Sequence, residues 1–250
     1  EVFVGGSLAK DTMIKKDKDN TYDIDIFVRF DKKYLEDKLS NYLLKILDKN
    51  AVKIHGSRDY FQIIKNQKNL HSRFLGSLKR LHSSPFSKME SSGFDDNIRI
   101  EVIPVRKIKN PSAAENVTDL SYFHVNYVVN KIKKNKRLSS EIMLAKAFTH
   151  AQNCYGAESY IHGFSGYALE LLICHYKSFL KFIEAIAKSD GRIIIDDSKF
   201  YKKKEEVLMK MNESKIFSPI ILVDPTFKER NALAGLSKET FEMFKKSCFE

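Results

Sequence analysis

The pattern of hydrophobic and polar residues changes about halfway along the chain. Residues 22–30 alternate with a period of two, with Ile24, Ile26 and Val28 on one side, which predicts a strand. Similar short runs predict strands at 1–4, 51–54, 60–64 and 98–105, and a helical spacing predicts an amphipathic helix over 34–47. Residues 66–96 are polar and show no long period, so we expect an insertion or a mobile loop there.

Helical patterns dominate the second part of the chain. The spacing predicts helices at 120–132, 139–148, 163–188 and 239–249, with short buried strands at 193–195 and 220–223. A mixed first part followed by a mostly helical second part predicts an α+β fold. The change of character lies near residues 110–118, and we place the boundary so that the two domains are 1–112 and 113–250.

Composition narrows the class of protein. The 250 residues are 43% hydrophobic and 30% charged, which is typical of a globular chain and excludes disordered and collagen-like classes. No apolar run approaches the roughly 18 to 20 residues needed to span a bilayer, and the chain does not open on a signal-peptide pattern. The chain opens on a strand-like run without Met and stops at Glu250 inside a helical pattern, so we expect a piece of a longer protein, cut at both ends.

The charge balance points to a partner. The chain has 43 Lys and Arg against 32 Asp and Glu, a net charge of +11. Such a surplus favours a polyanionic partner such as nucleic acid, although a lysine-rich, solvated surface is the alternative interpretation. The three cysteines, Cys154, Cys174 and Cys248, are odd in number and far apart, which favours a reducing, cytoplasmic location.

Two local motifs carry the candidate chemistry. Asp23 and Asp25 stand two residues apart on the predicted strand, so they project from the same face, where repulsion favours a divalent cation between them. Hard carboxylate oxygens of this kind suit Mg²⁺ bound together with substrate phosphates. Upstream, Gly5, Gly6 and Ser7 form a strand-to-helix turn whose backbone N–H groups can approach an anion closely.

A third acid strengthens this interpretation. Glu101 lies in the otherwise apolar strand 98–105, where a buried carboxylate is costly unless it is paired or binds a metal. Each motif alone is weak, since Asp-x-Asp on a strand is more often a solvent-facing edge. Together, three acids beside a glycine turn predict two-metal phosphoryl transfer.

These motifs are similar to those of the DNA polymerase beta-like nucleotidyltransferase superfamily. Within it, the chain resembles the archaeal, class I CCA-adding enzymes (tRNA nucleotidyltransferases) along nearly its whole length. The second half carries the more specific matches: Phe123-His124, Tyr155-Gly156-Ala157-Glu158, Gly163-Phe164-Ser165-Gly166-Tyr167 with Glu170, and Val223-Asp224-Pro225 with Arg230-Asn231.

The resemblance implies a nucleotidyltransferase palm, a mixed sheet with flanking helices, followed by a mostly helical central domain that binds the substrate. It implies addition of C, C and A to the 3′ end of tRNA from CTP and ATP without a nucleic-acid template, with Mg²⁺ as cofactor. Asp23, Asp25 and Glu101 match the catalytic, metal-binding acids, and by analogy Glu101 is the general base. The resemblance also implies a set of nucleotide-binding residues, some of which match the family's residues and some of which replace them. They are Gly6, Ser7, Lys10, Ser121, His124, Lys146, His150, Ser159, Tyr160 and Arg230.

Some positions depart from the family pattern. Lys10 stands where the family usually has Arg, which keeps the charge and loses the bidentate geometry. His150 falls where the family has Lys and Ser159 where it has Tyr. We therefore expect triphosphate contacts to be weakened, or shifted to Lys146, one helical turn before His150, and to Tyr160.

Two other functions stay open at the level of sequence. One is another enzyme of the same superfamily, such as an oligoadenylate- or antibiotic-modifying transferase. The other is a non-catalytic RNA-binding module, which is favoured by the departures from the family pattern at Lys10, His150 and Ser159. Membrane association is not expected, and a homodimer is left open.

Overall fold

The computed structural model describes residues 1–14, 21–47, 49–66 and 97–249. Its Cα positions divide into two compact units, Glu1–Val125 and Asn126–Glu250. The insertion expected over 66–96 lies outside the described residues, apart from Asn66, which ends a strand. The division into a catalytic domain 1–112 and a substrate-binding domain 113–250 stays a prediction, because compactness does not assign a function.

The first unit is built on a mixed sheet that contains five strands in the described ranges. The strands are β1 (Val2–Val4), β2 (Thr21–Phe30), β3 (Val52–Ile54), β4 (Tyr60–Asn66) and β5 (Asn97–Arg106). Their order is β1-β2-β5-β4-β3, in which β2 and β5 are parallel and the other neighbours are antiparallel. The parallel pair sits at the centre, so its side chains have neighbours on both sides.

The two faces of this sheet differ. On one face Ile24, Ile100 and Phe61 pack with Leu8 and Leu43, which come from helices α1 (Gly6–Ala9) and α2 (Leu39–Leu44). On the other face the described residues form a small apolar cluster, in which Phe27, Ile103 and Val105 pack with Phe3 and Tyr60. The rest of the second face is therefore available for polar side chains.

The helix predicted over 34–47 is wrong in extent. The structure has a 3₁₀ turn at Glu36–Lys38 and a helix only at Leu39–Leu44. Leu39 and Leu43 are fully buried, whereas Leu35 and Ile46 are 54% and 71% exposed. Apolar side chains at the helical spacing are therefore buried over little more than one helical turn.

The second unit is mostly helical. Helix α3 (Ser121–Lys134) begins in the first unit and ends in the second. The further helices and strands are α4 (Arg137–Ala151), α5 (Gly166–Tyr176), α6 (Phe179–Ala187), β6 (Ile193–Ile195), α7 (Lys204–Lys210), β7 (Ile220–Asp224), β8 (Phe227–Asn231) and α8 (Lys238–Ser247). The predicted α+β class is confirmed, as are strands at 193–195 and 220–223. The second of these strands is buried throughout, whereas Ile193 and Ile194 of the first are half-buried. Strand β8 and helix α7 were not predicted.

The single helix predicted over 163–188 is wrong, because the chain breaks it in two. Lys177 adopts the left-handed conformation with φ of +70°, and Ser178 then caps α6 by accepting from the backbone N–H of Lys181. Ser165 caps α5 in the same way through the N–H of Ala168. Both segments contribute to one apolar core, with Leu172 and Phe182 fully buried, so the hydrophobic spacing hides the break.

Candidate active site

Three carboxylates lie on the same face of the mixed sheet. Asp23 and Asp25 stand two residues apart on β2, and the α-carbon of Glu101 on β5 is paired with that of Asp25. Because side chains alternate along a strand and paired neighbours point to the same side, all three project away from the core. Ile24, between the two aspartates, is 1% exposed and packs into the core on the opposite face.

Protein side chains contact two of these acids. Gln62, which is paired with Glu101 on β4, donates from Nε2 to Glu101 Oε1 at 2.9 Å. Arg99 Nη1 lies 3.6 Å from Asp23 Oδ1. In the part of the chain that the structure describes, no group of three or more His, Cys, Asp or Glu side chains is arranged to enclose a metal ion. The acids fit a divalent cation by donor type and by register, and a cation would compete with Arg99 for Asp23.

The glycine turn lies directly against Asp25. Gly5 N–H donates to the carbonyl oxygen of Asp25 at 2.8 Å, which continues the β1–β2 pairing into the turn. Gly6 has φ of +57°, and a Cβ added there would stand 1.6 Å from Asp25 Oδ2. A Cβ on Gly5 would stand 2.2 Å from the ring of Phe27. Both glycines are thus required by close approach, which places the turn's backbone beside the carboxylate.

Ser7 and Lys10 follow the turn within and just after α1. This helix has four residues, and Thr12 N–H returns to the carbonyl oxygen of Ser7 at 3.0 Å. Lys10 is 7% exposed and Ser7 is half-buried. Their assignment as triphosphate contacts stays a prediction.

Ser121 and His124 share one side of the first turn of α3. They are three residues apart, a spacing that brings side chains together on a helix. His124 is 8% exposed and Ser121 is half-buried. Between them, the Tyr122 ring lies 5.4 Å from the Phe3 ring, and the Arg29 guanidinium lies 4.3 Å from the Tyr122 ring. The start of α3 is thereby packed against β1 and β2.

In the second unit, Lys146 forms a buried ion pair. Its Nζ lies 2.8 Å from Glu170 Oε1, and the side chains are 2% and 1% exposed. Lys146 is on α4 and Glu170 on α5, so the pair ties two core helices together. A contact between Lys146 and a triphosphate would require this pair to open.

His150, Ser159 and Tyr160, which the sequence predicts to bind nucleotide, lie near the end of α4 and in the loop that follows it. The His150 ring stacks on the Tyr155 ring with centroids 3.9 Å apart and planes 19° apart. The loop closes when Gly163 N–H donates to the Gly156 carbonyl oxygen at 2.7 Å. Within it Ser159 is exposed and Tyr160 is 83% exposed, so both are accessible to a ligand.

Arg230 is held by a buried carboxylate that the residue patterns did not single out as a site residue. Asp224, fully buried at the end of β7, accepts from Arg230 Nη1 at 2.7 Å, from Tyr167 OH at 3.1 Å and from the Thr226 hydroxyl at 2.7 Å. The Arg230 guanidinium also lies 5.6 Å from the Tyr167 ring. Burial and the charge of Asp224 raise the pKa of the Tyr167 hydroxyl, so it stays a donor. Arg230 itself keeps 22% of its side chain exposed.

The partners of the predicted residues lie on other strands and helices, and no local pattern pairs them with the residues that they contact. Gln62, Glu170 and Asp224 are 39, 24 and 6 residues from the groups they contact. Asp224 and Glu170 fall within the family-like motifs quoted above, which was the one signal that could have found them.

These features define the class of fold. In the residues that the structure describes, a mixed sheet of five strands carries two aspartates on one strand and a glutamate on its parallel neighbour, with a Gly-Gly-Ser turn beside them. This arrangement is similar to the fold of the polymerase beta-like nucleotidyltransferases. Solved structures agree: Cid1, described as an RNA terminal uridylyl transferase, matches with a TM-score of 0.62 at 11% identity, over 100% of this chain and 79% of its own. CdnC from Escherichia coli MS115-1 matches with a TM-score of 0.53 at 11% identity, over 100% and 74%.

Sequence relatives narrow the class. Residues 140–250 match the family model described as tRNA nucleotidyltransferase, second domain. The CCA-adding enzyme of Nanoarchaeum equitans is 38% identical over 97% of this chain and 53% of its own length. That of Methanocaldococcus jannaschii is 32% identical over 98% of this chain and 48% of its own length.

Over nearly its whole length the chain is similar to archaeal CCA-adding enzymes, and its residues 140–250 match the tRNA nucleotidyltransferase second domain. It spans about half the length of the relatives it matches. Among the residues described here, no helix combines the length and the apolar character that crossing a bilayer requires.

Proposed function

We propose that this chain carries the catalytic and nucleotide-binding part of a CCA-adding enzyme, which adds C, C and A to the 3′ end of tRNA from CTP and ATP. The observation that carries the proposal is the pairing of Asp25 with Glu101 on parallel strands, with Gly6 against the Asp25 carboxylate. The relatives are named CCA-adding enzymes, which supports this substrate pair over other transferase substrates. A tRNA substrate also fits the net charge of +11. With it we propose a cytoplasmic location.

Asp23, Asp25 and Glu101 would hold the divalent cation, for which Mg²⁺ is our proposal. When bound, such an ion neutralises phosphate charge and makes the attacking hydroxyl more acidic. The chain's own residues do the rest. The backbone of the Gly5-Gly6-Ser7 turn binds the triphosphate, Glu101 accepts the proton of the 3′ hydroxyl, and Gln62 orients Glu101 through the bond at 2.9 Å. The 3′ oxygen forms a bond to the α-phosphorus of CTP or ATP as the bond from that phosphorus to pyrophosphate breaks, and pyrophosphate leaves.

Positioning in the second unit falls to a separate group. Arg230, fixed by the buried Asp224, is proposed to hydrogen-bond the base, and a preorganised guanidinium does this at low entropic cost. The exposed Tyr160 and the His150–Tyr155 stack are proposed to contact the nucleotide. The homodimer that the sequence leaves open is not part of this proposal.

The test is an incorporation assay with labelled CTP and ATP, each alone and both together, on tRNA that lacks its CCA end. We expect C to be added first and A only after it, because the proposal requires both nucleotides in order. A transferase of another kind would use one nucleotide or ignore the tRNA. An RNA-binding module would bind tRNA in a salt-dependent manner and incorporate nothing.

Three variants make the assay specific. Asp25→Asn and Glu101→Gln keep the shape of the side chain and remove its charge, and we expect each to lower incorporation at least about a hundredfold. Asp37→Asn, an exposed acid on the 3₁₀ turn before α2, is the matched control and should leave the rate unchanged. Full activity in Asp25→Asn, with an unaltered thermal melt, would refute the assignment.

A further inference from the structure

A buried carboxylate two residues before Ser121 has no part in the chemistry described above. The Asp119 side chain is 0% exposed and lies in the 3₁₀ turn Val117–Leu120 that runs directly into α3. Its Oδ1 accepts from Arg58 Nη1 at 2.6 Å and from the Arg106 N–H at 2.7 Å. Its Oδ2 accepts from the backbone N–H groups of Asn116 at 3.0 Å and Glu115 at 3.2 Å. Side-chain and backbone donors therefore satisfy both oxygens of this buried carboxylate.

Arg58 is the cation that compensates this charge. Its side chain is 6% exposed, and it binds Asp119 with both terminal nitrogens, since Nη2 lies 3.2 Å from Oδ2. Nη1 also donates to the Pro104 carbonyl oxygen at 3.1 Å, and Nη2 contacts Glu36. Burial acts to lower the pKa of Arg58, but the bonds and charges of Asp119 and Glu36 outweigh it and the pKa is raised. The guanidinium is therefore always charged.

The network connects the two groups of predicted site residues in the first unit. Pro104 and Arg106 lie on β5, three and five residues after Glu101. Asp119 lies two residues before Ser121 and five before His124. The bonds through Arg58 and the Arg106 N–H therefore fix the start of α3 relative to the strand that carries Glu101.

Tyr122 provides a second anchor, to different strands. Its ring packs on Phe3 of β1 and under Arg29 of β2. Asp119, in the turn before α3, and Tyr122, in its first turn, contact different strands and together restrict the position of the helix start. Since neither Asp119 nor Arg58 is exposed enough to touch a substrate, their influence must act through the residues that follow.

We propose that Asp119, compensated by Arg58, is a positioning residue that places Ser121 and His124 for nucleotide binding. The inference rests on the proposed function, because it takes those two residues to contact the nucleotide. The inference adds Asp119 to the residues that determine where the nucleotide binds. It predicts that a change at Asp119 alters nucleotide affinity through His124.

The test measures nucleotide affinity directly, by calorimetric titration of the full chain with CTP or ATP. Asp119→Asn keeps the volume and removes the charge, so it weakens both hydrogen bonds from Arg58 and frees the helix start. We expect affinity to fall about tenfold while incorporation at saturating nucleotide changes less than about threefold. His124→Ala should lose a similar factor.

The decisive comparison is the double variant Asp119→Asn/His124→Ala. If Asp119 acts through His124, the double variant binds about as weakly as His124→Ala alone, since the two losses are not additive. Additive losses, or unchanged affinity in Asp119→Asn, would overturn the proposal. Asp37→Asn serves as the control for removing an acid from the same unit.

Folding is checked by a thermal melt of each variant. If Asp119→Asn does not fold, Arg58→Lys takes its place in the same cycle, because it keeps the charge and loses the bidentate fork. Failure of the proposed function gives a different result, namely an unaltered chain that binds neither CTP nor ATP.

Discussion

The carboxylate of Asp25 lies so close to the α-carbon of Gly6 that a methyl group there would stand 1.6 Å from Asp25 Oδ2. The glycine is therefore required twice, by this contact and by its φ of +57°, which L side chains rarely adopt. This relationship fixes the turn of the candidate phosphate site to the strand of the candidate metal site.

Gly6→Ala should abolish incorporation. The added methyl must push the Asp25 carboxylate away from its position, and a displacement of about 1 Å at a reacting centre can cost about a hundredfold in rate. The measurement is single-nucleotide incorporation, with a thermal melt to establish that the variant is folded.

Gly191→Ala is the matched control for that change. Gly191 also has a positive φ, +78°, but a Cβ there meets nothing within 4 Å. We expect it to cost about 1 kcal/mol of stability from backbone strain alone and to leave the rate intact. Equal loss of activity in both variants would show that strain, and not the Asp25 contact, is responsible.

Breaking the ion pair between Lys146 and Glu170 should destabilise the second unit. Lys146→Met leaves the Glu170 carboxylate without its cation at 1% exposure, which typically costs about 3 to 5 kcal/mol. The double variant Lys146→Met/Glu170→Leu should recover a large part of that loss, because it removes both charges of the pair and leaves neither without its partner. Urea unfolding of the chain and both variants checks this.

The same variants decide what Lys146 does. If Lys146 contacts the triphosphate, the double variant restores stability while its KM for nucleotide stays high. If the lysine is only structural, KM returns together with stability. The former outcome supports Lys146 as a triphosphate contact and the latter contradicts it.

Arg230→Lys should raise KM for both nucleotides about tenfold and change kcat little. The ammonium keeps the charge near Asp224 but loses the planar fork that Asp224 and the Tyr167 ring hold in place. Lys228→Ala, an exposed change on the same strand, is the control and should leave both constants unaltered. An unchanged KM for Arg230→Lys would argue against a role in base recognition.

Asp197 should make stability depend on pH in the acid range. Burial acts to raise its pKa, but the hydrogen bond and charge of His175, with Nδ1 2.6 Å from Oδ1, outweigh burial and the pKa is lowered. A lowered folded-state pKa stabilises the fold above the ordinary aspartate value of about 4 and loses that contribution as the pH falls through the lowered value. Thermal unfolding of Asp197→Asn should therefore occur at a lower temperature than that of the unaltered chain at pH 7. The gap should narrow as the pH falls below about 4, and a gap that is no smaller in acid than at pH 7 would contradict the assignment.

Much of the fold follows from local pattern. The alternation at 22–30 predicted β2, and the apolar runs at 193–195 and 220–223 predicted the buried strands, because burial of one or both faces sets those patterns directly. The hydrophobic pattern was misleading where two successive helices pack into the same core. Residues 163–188 keep a helical spacing across Lys177, so nothing local revealed the left-handed break that begins α6.

The candidate site divides in the same way. Two aspartates at a spacing of two must share a strand face, and a double glycine before them indicates close backbone approach, so both could be predicted from the sequence. The register that pairs Glu101 with Asp25, across 76 positions of chain, could not. Nor could the buried partners Glu170, Asp224 and Arg58.

By itself, then, the sequence determined the chemical types in the site and the local geometry of each motif, because period and glycine conformation depend only on neighbouring residues. Tertiary structure alone decided which charges are compensated and by what. The reason is physical: the cost of burying a carboxylate or an ammonium is set by the partners that the fold brings to it, and those partners lie on other strands and helices.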